Sequence, residues 1–297
     1  MKLYRRKFRP KSLISREIRR LDPQSAPLRY PGSIMRVVSL TCSNTEIVCA
    51  LGCAEHLVGV DDYSDFPEDV VARLPRVGPD LQIDIERVAE LRPDLVLASL
   101  TVPGHEKVVA GLEAAGLPYV APAPTSLDDV YRDVRDLGAR LGVPERAEMV
   151  VEEMKKAIPR IPDGFEPGTE AAPRILVQWW PKPLIAPGRK SWVTDLIAAA
   201  GGVNPLADED VESRPVPDEE VCELAPDAMV ISWCGVHPEK YRPDVVYGNQ
   251  AFQGLPFLER EQVFSIPEAF LGRPSPRLVD GYRALRRVVR QVQDATS

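Results

Sequence analysis

Histidine is scarce in this chain, at three residues in 297, which leaves few general bases for catalysis. Nucleotide motifs are absent: there is no GxxxxGKS/T, no GxGxxG after an apolar run and no kinase-type glycine loop, so phosphates have no cradle. Hydrolase motifs are absent as well. There is no GxSxG, and His105-Glu106-Lys107-Val108-Val109 departs from HExxH at its last position. No run reaches about 18 apolar residues, so no helix is expected to span a bilayer. The N-terminus lacks the roughly 7–15-residue apolar core of a secretory signal. The five cysteines are an odd number and include no CxxC, so free thiols are expected rather than a disulfide or metal framework, which fits a reducing compartment. These absences point away from an enzyme and from a metal held by the protein.

What the chain does contain is an ordinary folded composition, 44% hydrophobic and 27% charged. It is long enough that one core stops growing, so two domains are expected. Its thirty prolines are about twice the usual share, and they cluster in connections, which makes stiff loops. The net charge of −7 divides unevenly. Residues 1–34 hold ten Lys/Arg and two Asp/Glu, a balance of +8, which leaves −15 for the rest. An acidic body argues against a nucleic-acid partner. The basic arm reads as a solvated extension, with the ordered protein expected from Met35.

One stretch occurs twice. IERVAELRPDLVLAS at 85–99 and DEEVCELAPDAMVIS at 218–232 share seven of fifteen residues without a gap, at a constant offset of 133. In each copy apolar residues at helical spacing (Val88, Leu91; Val221, Leu224) precede a Pro-Asp stop and then a wholly apolar run. Such a run marks a strand covered on both faces. The duplication predicts an α/β fold of two Rossmann-like lobes with parallel sheets. The expected limits are 35–143 for the first lobe, 163–297 for the second, and 144–162 for a single long connecting helix.

Ligands of parallel sheets gather at the carboxyl ends of the strands. On the first lobe those ends are Thr41–Asn44, Asp61–Phe66, Leu100–His105 and Ala121–Ser126. Ser43 and Glu46 have the spacing of a capping box there. On the second lobe they are Trp179–Lys182, Trp233–His237 and Phe270–Arg273. Tyr63 and Phe66 therefore oppose Trp179, Trp180, Trp233 and Phe270, a set of rings suited to a large, flat, partly apolar ligand in a cleft between lobes. Adjacent strand residues face opposite ways, so at most one of Trp179 and Trp180 is expected in the cleft. Trp192, at a helix start, is expected in the core. Cys42, Ser43, Asn44, Cys234 and Arg273 complete the candidate ligand-binding set.

The runs SLTCSNTEIVCALG (39–52), LVGVDDYSDFP (57–67), IERVAELRPDLVLAS and GRPSPRLVDG (272–281) carry a resemblance. Over roughly residues 35–292 the sequence resembles the helical-backbone substrate-binding proteins of ABC importers for cobalamin, haem and iron-siderophores, and its cobalamin-binding branch most. The resemblance implies a monomeric, non-enzymatic protein that captures a corrinoid, with cobalamin as bound ligand rather than catalytic cofactor. It further implies an ABC permease as partner, docked through one glutamate per lobe, here Glu86 and Glu219, and an extracytoplasmic location that the missing signal core does not match. Two positions depart from the pattern: Cys42 stands where the family usually has Pro, and Asp80 where cobalamin-binding relatives place a Trp. A ferric-siderophore or haem ligand, and a cytosolic corrinoid carrier or sensor without a permease, are the alternatives.

Overall fold

Short apolar runs become the buried strands of a computed structural model that describes residues 34–159 and 172–296. The basic arm and residues 160–171 lie outside the described residues. The first lobe runs β1 (Val37–Ser39), α1 (Cys42–Ala50), β2 (Leu57–Val60), α2 (Glu68–Val71), α3 (Ile85–Glu90), β3 (Leu95–Leu97), α4 (His105–Ala114) and β4 (Tyr119–Val120). Two long helices follow, α5 (Leu127–Arg140) and α6 (Pro144–Ala157). The second lobe opens with β5 (Ile175–Gln178), β6 (Trp180–Pro181), β7 (Leu184–Pro187), α7 (Trp192–Ala199), β8 (Ser213–Val216), α8 (Asp218–Leu224) and β9 (Ala228–Ile231). It closes with α9 (Asp244–Tyr247), α10 (Pro256–Glu259), β10 (Val263–Ser265), α11 (Glu268–Leu271) and α12 (Leu278–Thr296).

Two separate parallel sheets result, in the orders β2-β1-β3-β4 and β10-β9-β5. A third sheet, β6-β7-β8, is antiparallel and is not expected from the sequence. Pro181, Pro187 and Pro215 lie in its strands, and proline normally argues against a strand because it donates no ladder bond. Pro181 and Pro215 lie on the edge strands β6 and β8, and Pro187 is the last residue of β7, where a missing donor costs little.

The duplication is physical. β1 pairs with β3 through Val37↔Leu95, and β5 pairs with β9 through Ile175↔Ala228. In each lobe an arginine one residue before the strand clasps the end of the repeated helix. Arg36 Nη2 donates to Leu91 O at 2.7 Å, and Arg174 Nε donates to Leu224 O at 2.8 Å. The backbone N–H of each donates to the aspartate of the Pro-Asp pair, Asp94 at 2.8 Å and Asp227 at 2.7 Å. Each repeat helix ends on a residue in the left-handed region, Arg92 (φ 46) and Ala225 (φ 43). Both precede proline, whose ring disfavours the right-handed helical region for the residue before it.

The inner faces of both sheets share one core with the long helices. Val37, Leu95 and Leu97 from the first lobe join Tyr131, Val134 and Val151 of α5 and α6, then Ile175, Val177 and Leu196 of the second. Each fully buried Val or Leu there contributes about 1.5–3 kcal/mol. Both long helices are therefore packed into that shared core. α5 starts on the Ser126 cap, which accepts from Asp129 N at 3.1 Å. α6 starts on Pro144 and packs against α5 closely enough that a Cβ at Gly138 would collide with Ala147. Leu127 N also reaches across to Asp195 of α7 at 2.7 Å. The outer faces carry their own cores, with Val38, Val88 and Val96 in the first lobe and Leu176, Val221 and Met229 in the second.

Candidate functional site

The first-lobe rim presents Tyr63 and Phe66 from a loop held at both sides. Asp61, fully buried, accepts from Ser64 Oγ and from Tyr63 N at 2.9 Å. Thr45 in α1 ties that hydroxyl to Ser39, with 2.8 Å to Ser64 Oγ and 2.9 Å to Ser39 Oγ. Arg76 Nη1 closes the other side, donating to Asp61 O at 2.8 Å and Ser64 O at 2.7 Å. Cys42 Sγ donates to Tyr63 O at 2.9 Å, and burial, then the Asp61 charge, pushes its thiol well above the usual range. The loop backbone is thus fixed while its rings stay in solvent, Tyr63 at 52% and Phe66 at 44% exposure. Rings held ready cost little ordering entropy on binding.

On the second lobe Trp180 is 42% exposed, whereas Trp179 is half-buried against the shared core. The two neighbours face opposite ways, as strand geometry requires. Cys234 lies beside them, its N–H donating to Trp179 O at 3.1 Å. It is exposed, yet desolvation, then Glu268, lifts its thiol to about 12.

Several expected rim residues sit elsewhere. Trp233 is 6% exposed and belongs to the outer core of the second lobe; its Nε1–H donates to Gln178 Oε1 at 2.8 Å. Trp192 lies in the core, as its helix-start position predicts, its Nε1–H donating to Leu271 O at 2.7 Å. α1 begins at Cys42 with Thr41 as its N-cap and no side-chain cap bond, so Ser43 and Asn44 lie inside its first turn. Both are buried, and Asn44 Nδ2 is committed to Ala98 O at 2.7 Å. The capping-box reading of Ser43 and Glu46 does not hold.

Glu46 instead joins the lobes. Its side chain is 2% exposed and accepts from Arg273 Nη1 and Arg277 Nη1, each at 3.0 Å, and from Ser275 Oγ. Arg273 also reaches Asp65, with Nη2 at 3.2 Å, and Glu268, with Nε at 3.2 Å. It is therefore already engaged by three carboxylates rather than free for a ligand. The Arg277 guanidinium stands 4.3 Å from the Phe66 ring centroid and 4.9 Å from that of Phe270, bridging one ring of each lobe by cation–π attraction. α12 fits under Phe270 because Gly281 lacks the Cβ that would strike the Phe270 carbonyl. Burial would raise Asp65, but the Arg273 hydrogen bond and charge, with Arg277, hold it below the usual carboxylate range. Burial raises Glu268 despite Arg273. Beneath this bolt, Ser43, Asn44, Ser99, Thr101, Asp133 and Pro274 enclose a cavity of about 10 Å³, room for roughly one water. Asp133 Oδ2 faces it without a partner among the described residues.

The model of the periplasmic binding protein family matches residues 37–270, 234 of the 297 positions. The chain belongs to that family. Among relatives of this periplasmic binding protein, the vitamin B12-binding protein of Yersinia pestis (strain Pestoides F) is 29% identical over 197 residues, which is 66% of this chain and 69% of the relative. The periplasmic haem-binding protein RhuT from Roseiflexus sp. RS-1, in apo form, is 27% identical with a TM-score of 0.71, over 89% of this chain and 100% of that one. The periplasmic vitamin B12 binding protein BtuF of Vibrio cholerae is 25% identical with a TM-score of 0.67, over 87% and 98%. All three sheets of the present protein fall within the matched span.

Glu86 and Glu219 occupy the first turns of α3 and α8, both exposed and neither in an ion pair among the described residues. Sequence reasoning missed Arg76, Ser275 and Arg277. A signal for two of them was present, since Ser275 and Arg277 lie in the GRPSPRLVDG run quoted above.

Proposed function

We propose that this protein captures a corrinoid, most simply cobalamin, between its lobes and delivers it to an ABC permease without chemical change. The observation that carries the reading is the pair of aromatic platforms at strand ends, Tyr63 and Phe66 on one lobe and Trp180 on the other, all exposed. A planar macrocycle with an apolar rim and polar arms buries such rings at small entropic cost. Relatives named for vitamin B12 support the ligand class. Phe270 and Cys234 extend the contact surface, with Cys42 at its edge. The lobes are taken to divide at 35–143 and 163–297. Glu86 and Glu219 supply one negative charge per lobe for docking, which governs encounter rate and partner choice more than affinity.

Calorimetry and absorbance titration with cyanocobalamin test the ligand. Binding below about 10 µM is expected; no heat and no spectral change at about 100 µM removes the corrinoid. Haemin and a ferric hydroxamate in parallel cells identify the competing ligand classes. For the partner, the Glu86→Ala/Glu219→Ala double variant should bind cyanocobalamin like the parent while uptake by cells dependent on this protein falls at least tenfold. Unchanged uptake removes the permease and favours a free carrier.

A further inference from the structure

A second recess, of about 290 Å³, opens in the second lobe at the carboxyl end of β5. Gln178, Pro181, Lys182, Asp218, Asn249 and Phe252 line it. Gln178 is the last residue of β5 and Pro181 follows Trp180 in β6, so the recess lies on the rim where parallel sheets gather ligands. At its floor Gln178 is 2% exposed. The indole N–H of Trp233 only donates, so the Gln178 atom at 2.8 Å from it is the carbonyl oxygen. That bond fixes the amide and leaves Nε2–H without a partner among the described residues. At the wall, Asp218 turns one oxygen to Asn249 Nδ2 at 3.0 Å, and its other oxygen has no donor among the described residues. Lys182, at the mouth, enters no ion pair among the described residues.

We infer that this recess receives a primary carboxamide arm of the ligand and selects amide-bearing macrocycles over acid-bearing ones; the inference rests on the corrinoid reading above. A carboxamide offers what the lining lacks. Its C=O accepts from Gln178 Nε2–H or Lys182, and its NH₂ donates to the free oxygen of Asp218. A carboxylate in the same place has no proton for Asp218 and sets two negative charges side by side. Corrinoids carry such amides around the ring, whereas the arms of haem end in carboxylates.

The test compares cyanocobalamin with its monocarboxylic derivatives, in which one peripheral amide is an acid, on the parent and on Asp218→Asn. The parent should bind at least one derivative about tenfold more weakly than cyanocobalamin. The Asp218→Asn side chain keeps an oxygen for Asn249 but turns a donor toward the arm, so the ratio for that derivative should fall to about threefold or less, with the melting temperature held. A parent that binds cyanocobalamin and every derivative equally overturns the inference and leaves the corrinoid reading standing. So does an Asp218→Asn variant that weakens all of them by one factor, which is what loss of structure alone would do. A parent that binds no corrinoid fails at the first titration and takes both down.

Discussion

Glu46→Ala removes the one carboxylate on which three donors from the second lobe converge. Hydrogen bonds to charged groups are worth about 1.5–3 kcal/mol each, and breaking a buried ion pair from one side costs about 3–5 kcal/mol. The upper end does not apply. Arg273 keeps Asp65 and Glu268, and Arg277 keeps the faces of Phe66 and Phe270, so neither guanidinium is stranded. Ser275 alone is left buried without its acceptor. A cost of about 3 kcal/mol is expected. Residues 34–297 form one unit of 264 positions, for which an unfolding entropy of about 2.1 cal/mol/K per residue gives roughly 0.55 kcal/mol/K. The melting midpoint should therefore drop by about 5 °C, read by calorimetry at neutral pH. The coupling between Glu46→Ala and Arg277→Ala, from a double-mutant cycle, should be at least about 1 kcal/mol. A shift within about 1 °C, or strictly additive single variants, would show that the lobes are not bolted at this point.

Burial, with Asp136 and Asp129 adding to it and Arg132 opposing, raises Asp133 to about 7. Its folded pKa lies above its unfolded value, so the neutral acid stabilises the fold below about pH 4 and that contribution is lost as pH climbs through about 7. Asp133→Asn should flatten the fall in melting temperature between about pH 4 and 7, and parallel curves for parent and variant would refute this. The duplicated clasp predicts that Arg174→Ala, half-buried, costs about 1–2 kcal/mol in urea unfolding while Arg36→Ala, exposed, costs less; the reverse order would sink the equivalence. Tyr63→Ala and Trp180→Ala should each weaken cyanocobalamin binding about tenfold or more with melting temperatures within about 1 °C of the parent. A melting loss without an affinity loss would make the rings structural.

The two-lobe fold is legible because its unit is local: a helix, a Pro-Asp stop and a buried strand occupy fifteen residues, and the two copies align without a gap. The clasping arginines are not, because they follow a different offset. Arg36 and Arg174 stand 138 apart against 133 for the helix–strand unit, so an ungapped overlay slides past them. Trp233 escapes for another reason. A strand end tells which rim a residue is on, and only the next layer of packing, here Tyr241 at 5.7 Å between ring centroids, decides whether it turns inward.

Glu46 is the instructive case. A glutamate three residues after a serine at a helix start satisfies a local rule, and the rule is sound for an end facing water, where the chain's own N–H groups are the best donors within reach. This end faces the other lobe. Two guanidiniums and a hydroxyl, 227 to 231 residues away in sequence, compete for the same carboxylate and win, since charged donors in a dry site bind it more strongly than a neutral backbone amide does. Thr41 then caps α1 without a side-chain bond to the helix backbone. A helix that forgoes its own cap beside a glutamate with capping spacing therefore points to a donor elsewhere in the chain, and in a duplicated fold the other lobe is the first place to look for it.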